Sequence, residues 1–201
     1  LAVLVITVVF SPHTDDAIFS IGAHLATLEN VLIASPMAGL PDDQQGKQKH
    51  SRLRDEHETA CGIVGSTWRN GNFLDDCYPP PDRGNLHHWL KGFVELADTV
   101  YIPVGIHHPD HMLVSELLLD MVESPAFYEE LPYRVNYPQL TKSRLTELGK
   151  RCAPLALTEV EPTEAKRAAV LAYRSQVTIP CTDMVDDALI AKLMVTERLW
   201  S

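Results

Sequence analysis

The chain predicts an α/β fold assembled from parallel βαβ units. Two observations carry this expectation. Short β-branched runs alternate with stretches of helical apolar spacing, and two clusters of His and Asp, Ser11-Pro12-His13-Thr14-Asp15-Asp16 and His107-His108-Pro109-Asp110-His111, each follow a strand-like run directly. The ends of parallel strands are where an open α/β sheet forms its crevice, so both clusters are placed to face one site.

Leu1 to Phe10, rich in Val and Ile, reads as a buried parallel strand that Ser11-Pro12 ends. Asp15 or Asp16 then caps a helix from about Ala17 to Glu29, with Ile18, Ile21 and Leu25 on one face. Val31 to Ala34 is a second strand, followed by a polar loop with Pro36, Gly39 and Pro41 that is expected at the pocket rim. Lys47 to Val64 has helical spacing, and a third strand is expected after Gly65, reaching Leu74. Pro79-Pro80-Pro81 and Gly84 mark an irregular excursion before a helix over Leu86 to Leu96. Thr99 to Val104 is a strand, His111 to Val122 a helix and Phe127 to Pro132 a strand. The remainder is expected as helices near Thr141 to Lys150, Pro162 to Gln176 and Asp183 to Leu199.

The 201 residues suit one well-buried domain, here taken as residues 1–201, and show no repeat or linker. With 45% hydrophobic and 22% charged residues the composition is that of an ordinary globular protein. A net charge of −10 with dispersed basic residues argues against a nucleic-acid partner. The apolar opening is half the length of a membrane span and has neither a basic n-region nor a small-residue cleavage site, so no membrane anchor is expected, although the first residue is Leu rather than Met and a trimmed leader stays open. Cys61, Cys77, Cys152 and Cys181 are widely spaced and form no C-x-x-C pair; free thiols and a cytoplasmic location are expected.

His13 and Asp16, three residues apart where a loop turns into a helix, can aim at one metal ion, and His111 on the second strand-end cluster is the natural third ligand. Taken separately, the Asp pair reads first as a helix cap and the histidines as solvated loop residues. The two clusters occurring together bring a catalytic metal site level with those readings.

Ser11-Pro12-His13-Thr14-Asp15-Asp16 resembles the His-Pro-Asp-Asp signature of the PIG-L/LmbE-like zinc-dependent de-N-acetylases, and His108-Pro109-Asp110-His111 is similar to that family's second signature. Arg54-Asp55-Glu56 leading to Gly65, Phe73-Leu74-Asp75, Phe127 to Tyr133 and Lys166 to Gln176 extend the likeness over most of the chain in the family's order. The resemblance implies a Rossmann-like three-layer sandwich with a mostly parallel sheet. It also implies Zn2+ on His13, Asp16 and His111, Asp15 as general base, and His108 facing the developing oxyanion. The implied reaction removes acetyl from an N-acetylated amino sugar or glycoconjugate, a small-molecule substrate. Asp110 is expected to orient His108 and to favour its imidazolium, or to cap the next helix. Arg54 and Asp75 match sugar-contacting positions, with Arg52 and Asp76 as competitors; Tyr78, His87 and Trp89 are candidates for an aromatic rim.

Three departures stand out. Thr14 replaces the usual Pro, and Ala17 the usual Glu, which is expected to alter the support of the ligands rather than the ligands themselves. Ile106 stands near where some relatives carry a Tyr, which weakens a tyrosine-assisted reaction. The competing readings are a ligand-binding domain without catalysis, and a metal-dependent phosphohydrolase, for which the expected second set of carboxylates is not evident.

Overall fold

The first strand, β1 (Thr7–Phe10), is buried along its whole length and sends alternate side chains to opposite faces of a sheet. Val9 enters one core while Val8 and Phe10 enter another, as the period of two requires of a strand covered on both sides. The computed structural model describes residues 5–152 and 155–201, so the start of the predicted strand, Leu1 to Leu4, lies outside the described residues.

The chain continues through α1 (Asp16–Leu25), β2 (Val31–Ser35), α2 (Gln44–Val64), β3 (Thr67–Asn70), α3 (Arg83–Val94), β4 (Thr99–Pro103), α4 (Pro109–Leu119) and β5 (Ala126–Tyr128). It then forms α5 (Tyr133–Asn136), α6 (Pro138–Arg151), β6 (Leu157–Val160), α7 (Glu164–Ala172), α8 (Arg174–Val177), α9 (Asp187–Leu193) and β7 (Glu197–Trp200). The seven strands lie in the order β3-β2-β1-β4-β5-β7-β6. The first five pair in parallel, whereas β7 is antiparallel to both β5 and β6. Helices α1, α2, α7 and α9 cover one face and α3, α4 and α6 the other, giving three layers with a core on each side. This is the Rossmann-like sandwich expected. Among the described residues no helix is long and apolar enough to cross a membrane.

β1 leads to β2 on one side, and β4 lies on its other side, so strand order reverses between β1 and β4. A parallel sheet opens a crevice at such a point, because the connections leave in opposite directions. The two His/Asp clusters follow β1 and β4.

Three sequence expectations are corrected. β3 stops at Asn70 rather than Leu74, because Gly71 turns to donate its N–H to Ser35 O (2.8 Å) and packs against Pro36, where a Cβ would meet the carbonyl oxygen at 2.4 Å. The helix expected over 183–199 ends at Leu193, and Glu197–Trp200 is a strand in which Glu197 and Leu199 are buried while Arg198 points out to pair with Glu159 on β6 (2.9 Å). Helix 162–176 is two helices, broken at Tyr173.

α1 is itself broken at Ile21 (φ −133°, ψ 25°). The carboxylate of Glu197 accepts the N–H groups of Ala23 (2.8 Å) and His24 (2.9 Å) there. Lys166 of α7 neutralises that carboxylate at 3.0 Å, both side chains being fully buried.

Candidate active site

Ser11, at the end of β1, shapes the first loop. Its hydroxyl donates to His13 O (2.5 Å) and accepts the N–H of Ala17 (2.9 Å). Ser11 thus satisfies a donor in the first turn of α1, and the Asp15 side chain makes no capping bond although Asp15 occupies the cap position. The Asp16 carboxylate turns back instead to accept the His13 N–H at 2.7 Å. Neither acid is a mere helix cap. The second loop leaves β4 through Gly105 (φ +85°) and His107 (φ +65°), and His108 caps α4 with Nδ1 accepting the Asp110 N–H (3.2 Å), ahead of Pro109.

The two loops bring His13, Asp16 and His111 together. His13 Nδ1 lies 3.2 Å from Asp16 Oδ2, His111 Nε2 lies 3.1 Å from the same oxygen, and the two nitrogens are 3.3 Å apart. A tetrahedral ion bound at about 2.0–2.1 Å, the range for zinc with nitrogen and oxygen donors, spaces its ligands about 3.3–3.4 Å apart. The three donor atoms therefore fit one face of such a tetrahedron. His108 is also close, with nitrogens of His13, His108 and His111 within 4.8 Å of one another. Its Nδ1 is engaged in the helix cap, however, and its Nε2 faces Asp76 Oδ1 at 3.6 Å.

Both ring histidines are held from behind by a carboxylate, an arrangement that fixes which nitrogen points forward. His13 Nε2 faces Asp110 Oδ2 (3.0 Å), and His111 Nδ1 faces Glu130 Oε1 (3.3 Å). Glu130 is fully buried and also accepts the N–H groups of Gly105 (2.8 Å) and Ile106 (2.9 Å), so it ties the second loop to the segment after β5. In the sequence Glu130 stands out only as part of the Phe127 to Tyr133 motif, and its place after the buried run Ala126–Tyr128 is the signal that marks it. Asp110 was expected to orient His108. Its carboxylate instead accepts from His13 and from the Asp76 N–H (3.0 Å), and only its backbone reaches His108, because a side chain in the first turn of α4 points back toward β1.

The charges follow from these contacts. Burial opposes ionisation of Asp16, but the imidazoles of His111 and His13 hold it well below the usual carboxylate range. Burial likewise opposes protonation of His111, yet Asp16 and Glu130 push it up to about 9, and Asp110 and Asp16 raise His13. Burial and the adjacent Asp16 push Asp15 up to about 6, against the pull of His13. His108 moves the other way, lowered by burial and by His13 and His111. Its Nδ1 accepts the Asp110 N–H, so when neutral His108 carries its proton on Nε2, and the downward shift disfavours the expected imidazolium.

A cleft of about 270 Å³ opens over His13, Asp15 and Asp16, lined also by Phe19, Met37, Lys49, Asp75, Tyr133, Gln176 and Leu189 among others, while His108 and His111 stand behind its lining. Asp75 lies there beside His50 (3.5 Å). Its competitor Asp76 faces His108. Arg54 does not line the cleft. Its guanidinium donates to Ala38 O (2.7 Å), Gly71 O (3.2 Å) and Asn72 Oδ1 (3.3 Å), tying the loop after β2 to the loop after β3. Arg52 is exposed and pairs with Glu56 (3.1 Å). In the expected rim, Tyr78 bonds Asp43 (3.0 Å), Trp89 packs against Phe93 (ring centroids 4.6 Å apart) and His87 is exposed on α3. Ala17 is buried in the core of α1, and no carboxylate stands there. Tyr133, reached from the second sheet half, sets its ring edge-on to His111 (5.0 Å) and brings a phenol to the site that Ile106 does not supply.

No protein-family model matches the chain. No curated protein matches it by sequence. Solved structures do match. The zinc-inhibited form of teicoplanin deacetylase Orf2 superposes with a TM-score of 0.73 at 19% identity, covering 96% of each chain. The chain has the fold of that deacetylase. N,N'-diacetylchitobiose deacetylase from Pyrococcus horikoshii matches at a TM-score of 0.56 and 19% identity over 86% of this chain and 70% of its own. The 4-carboxy-2-hydroxymuconate hydratase GalB from Pseudomonas putida KT2440 also matches, at 0.66 and 13% identity over 98% and 95%. One fold thus serves two reaction classes, and the distinction rests on the site.

Proposed function

We propose that this protein is a zinc-dependent hydrolase that removes the acetyl group from an N-acetylated amino sugar or glycoconjugate, giving acetate and a free amine. The observation that carries this reading is the His13–Asp16–His111 donor triangle, 3.1–3.3 Å on a side, lying beside an Asp15 carboxylate that no cap consumes. Three protein ligands with a position left for substrate are the pattern of catalytic zinc. The deacetylases that share the fold, one solved in a zinc-inhibited form and one acting on a diacetylated sugar dimer, support zinc binding on this fold and the substrate class.

Zinc, when bound, supplies a Lewis acid for the amide carbonyl and acidifies water. The residues do the rest. Asp15, its ionisation tuned to about 6, accepts the proton of the attacking water as the new C–O bond forms. The neutral His108 presents Nε2–H to the oxygen on which charge develops. As the C–N bond breaks, Asp15 returns its proton to the departing nitrogen, because a neutral imidazole that donates from Nε2 has none to spare. Asp110 and Glu130 hold His13 and His111 in register. Asp75, Lys49 and Gln176 form the polar wall for the sugar, while Arg54 braces the rim behind it.

The test is metal analysis of the purified protein, followed by acetate release from a panel of N-acetylglucosamine conjugates. Zinc near one per chain with acetate release is expected, and Asp16→Ala should lose both. Bound zinc with no acetate from any member rejects the amide reading. Absence of stoichiometric zinc rejects the metal site.

A further inference from the structure

Apart from Gln176, which lines the cleft, the segment Lys166–Gln176 has no part in the chemistry above, yet its break at Tyr173 lies against the loop that carries His13 and Asp15. Tyr173 is fully buried and donates its hydroxyl hydrogen to Thr14 O at 2.7 Å, across 159 residues of sequence. The same oxygen lies 2.8 Å from Nδ1 of His57 on α2. A phenol has one hydrogen. Once it is committed to Thr14, the oxygen must accept from His57 Nδ1–H, which orients it. Burial pushes His57 down to about 4, against a hydrogen bond to the Thr14 backbone, so this imidazole is neutral and itself reaches the residue that Tyr173 holds.

The rest of the segment is fastened to the same place. Ser175 gives both its N–H (2.9 Å) and its hydroxyl (2.5 Å) to Glu56, the neighbour of His57. The Tyr173 ring meets Phe19 of α1 edge-on, with centroids 5.2 Å apart. Thr14 stands between His13 and the Asp15–Asp16 pair, so its peptide sets the separation of the two donor atoms that this loop contributes.

We propose that Tyr173 is a positioning residue of the metal site: its hydroxyl, aligned by His57, holds the Thr14 carbonyl and thereby fixes the spacing of the His13 and Asp16 donors. This rests on the metal-site reading given above. A core-filling role would need the ring alone. A positioning role needs the hydroxyl.

Tyr173→Phe separates the two, since it keeps the ring and removes one oxygen. Zinc affinity is read without substrate, by competition with a chromophoric chelator, on protein shown to be folded by near-ultraviolet circular dichroism. We expect affinity to weaken about 10- to 100-fold, the range for groups that orient ligands from behind. A folded Tyr173→Phe protein that binds zinc within about twofold of wild type overturns the proposal, since orienting groups act well above that level. Should that variant not fold, His57→Phe is read in the same way: weaker zinc binding supports the brace, and unchanged binding overturns it. Wild type that takes up no stoichiometric zinc overturns the metal reading and this proposal together, whereas equal zinc binding by wild type and variant overturns the brace alone.

Discussion

Glu130→Gln isolates what a single buried charge contributes to this site. The native Oε1 accepts from Gly105, Ile106 and His111, while Oε2 is buried with no partner. A glutamine keeps its amide oxygen on those three donors and puts its NH2 where Oε2 was. Hydrogen bonds to a charged acceptor, worth about 1.5–3 kcal/mol, become neutral ones worth about 0.5–1.5, and a buried NH2 without a partner adds about 1–3. Three such exchanges and the NH2 come to about 4–7.5 kcal/mol, and removing a buried charge returns several kcal/mol of desolvation penalty, so a net loss of about 2–4 kcal/mol leaves a folded protein, typical stabilities being about 5–15. The metal is affected separately. Without the carboxylate behind it His111 is a weaker donor, and zinc affinity should fall about 10- to 100-fold, or about 1.4–2.7 kcal/mol. Urea unfolding gives the first quantity and chelator competition the second. Loss of stability with unchanged zinc affinity would show that Glu130 only braces the second loop, and no change in either would remove it from the account.

Asp15→Asn should retain zinc while kcat falls by about 10²- to 10⁴-fold, read as acetate release on metal-replete protein; near-normal turnover removes Asp15 from the reaction. Because burial and Asp16 raise Asp15 to about 6, the base is ionised above that value and activity should be lost as pH falls through it. A bound cation favours the carboxylate and moves this acidic limb lower, and pH profiles of kcat/KM with and without the substitution will show whether the limb belongs to Asp15. His108→Ala should lower kcat by about 10²- to 10³-fold while any basic limb persists, since the imidazole is already neutral near pH 7; disappearance of a basic limb would restore an imidazolium role. Lys166→Met strands the Glu197 carboxylate and should destabilise the protein by about 3–5 kcal/mol, measured by denaturant unfolding; a shift below about 1 kcal/mol would mean the ion pair has little effect.

The parallel half of the sheet was legible because its strands are β-branched runs followed by sharp stops, and the grouping of His13, Asp16 and His111, proposed above as ligands, because two His/Asp clusters sit at those stops. The antiparallel edge was not. Glu197–Trp200 is four residues long, and its alternation of buried and exposed side chains merges with the end of a helical pattern. The residues of that group could be named from spacing, but the direction in which each carboxylate turns could not. Asp110 faces His13, 97 positions away, rather than the neighbouring His108, and that choice depends on the packing of β1 against β4. Arg54 shows the same gap: a cation near a pocket looks like a substrate contact until two loop carbonyls claim its nitrogens.

The break in α1 has a consequence for the order in which the molecule is made. The Ala23 and His24 N–H groups are completed by Glu197, 174 and 173 residues later. During synthesis the loop bearing His13 and Asp16 emerges long before β7, so a nascent chain carries the helix beneath that loop with two inner donors open to water. Contacts so distant in sequence close late and slowly. Helix α1 is thus finished by β7, and a ribosome-bound chain arrested before residue 197 should lack the settled loop that the proposed metal site needs.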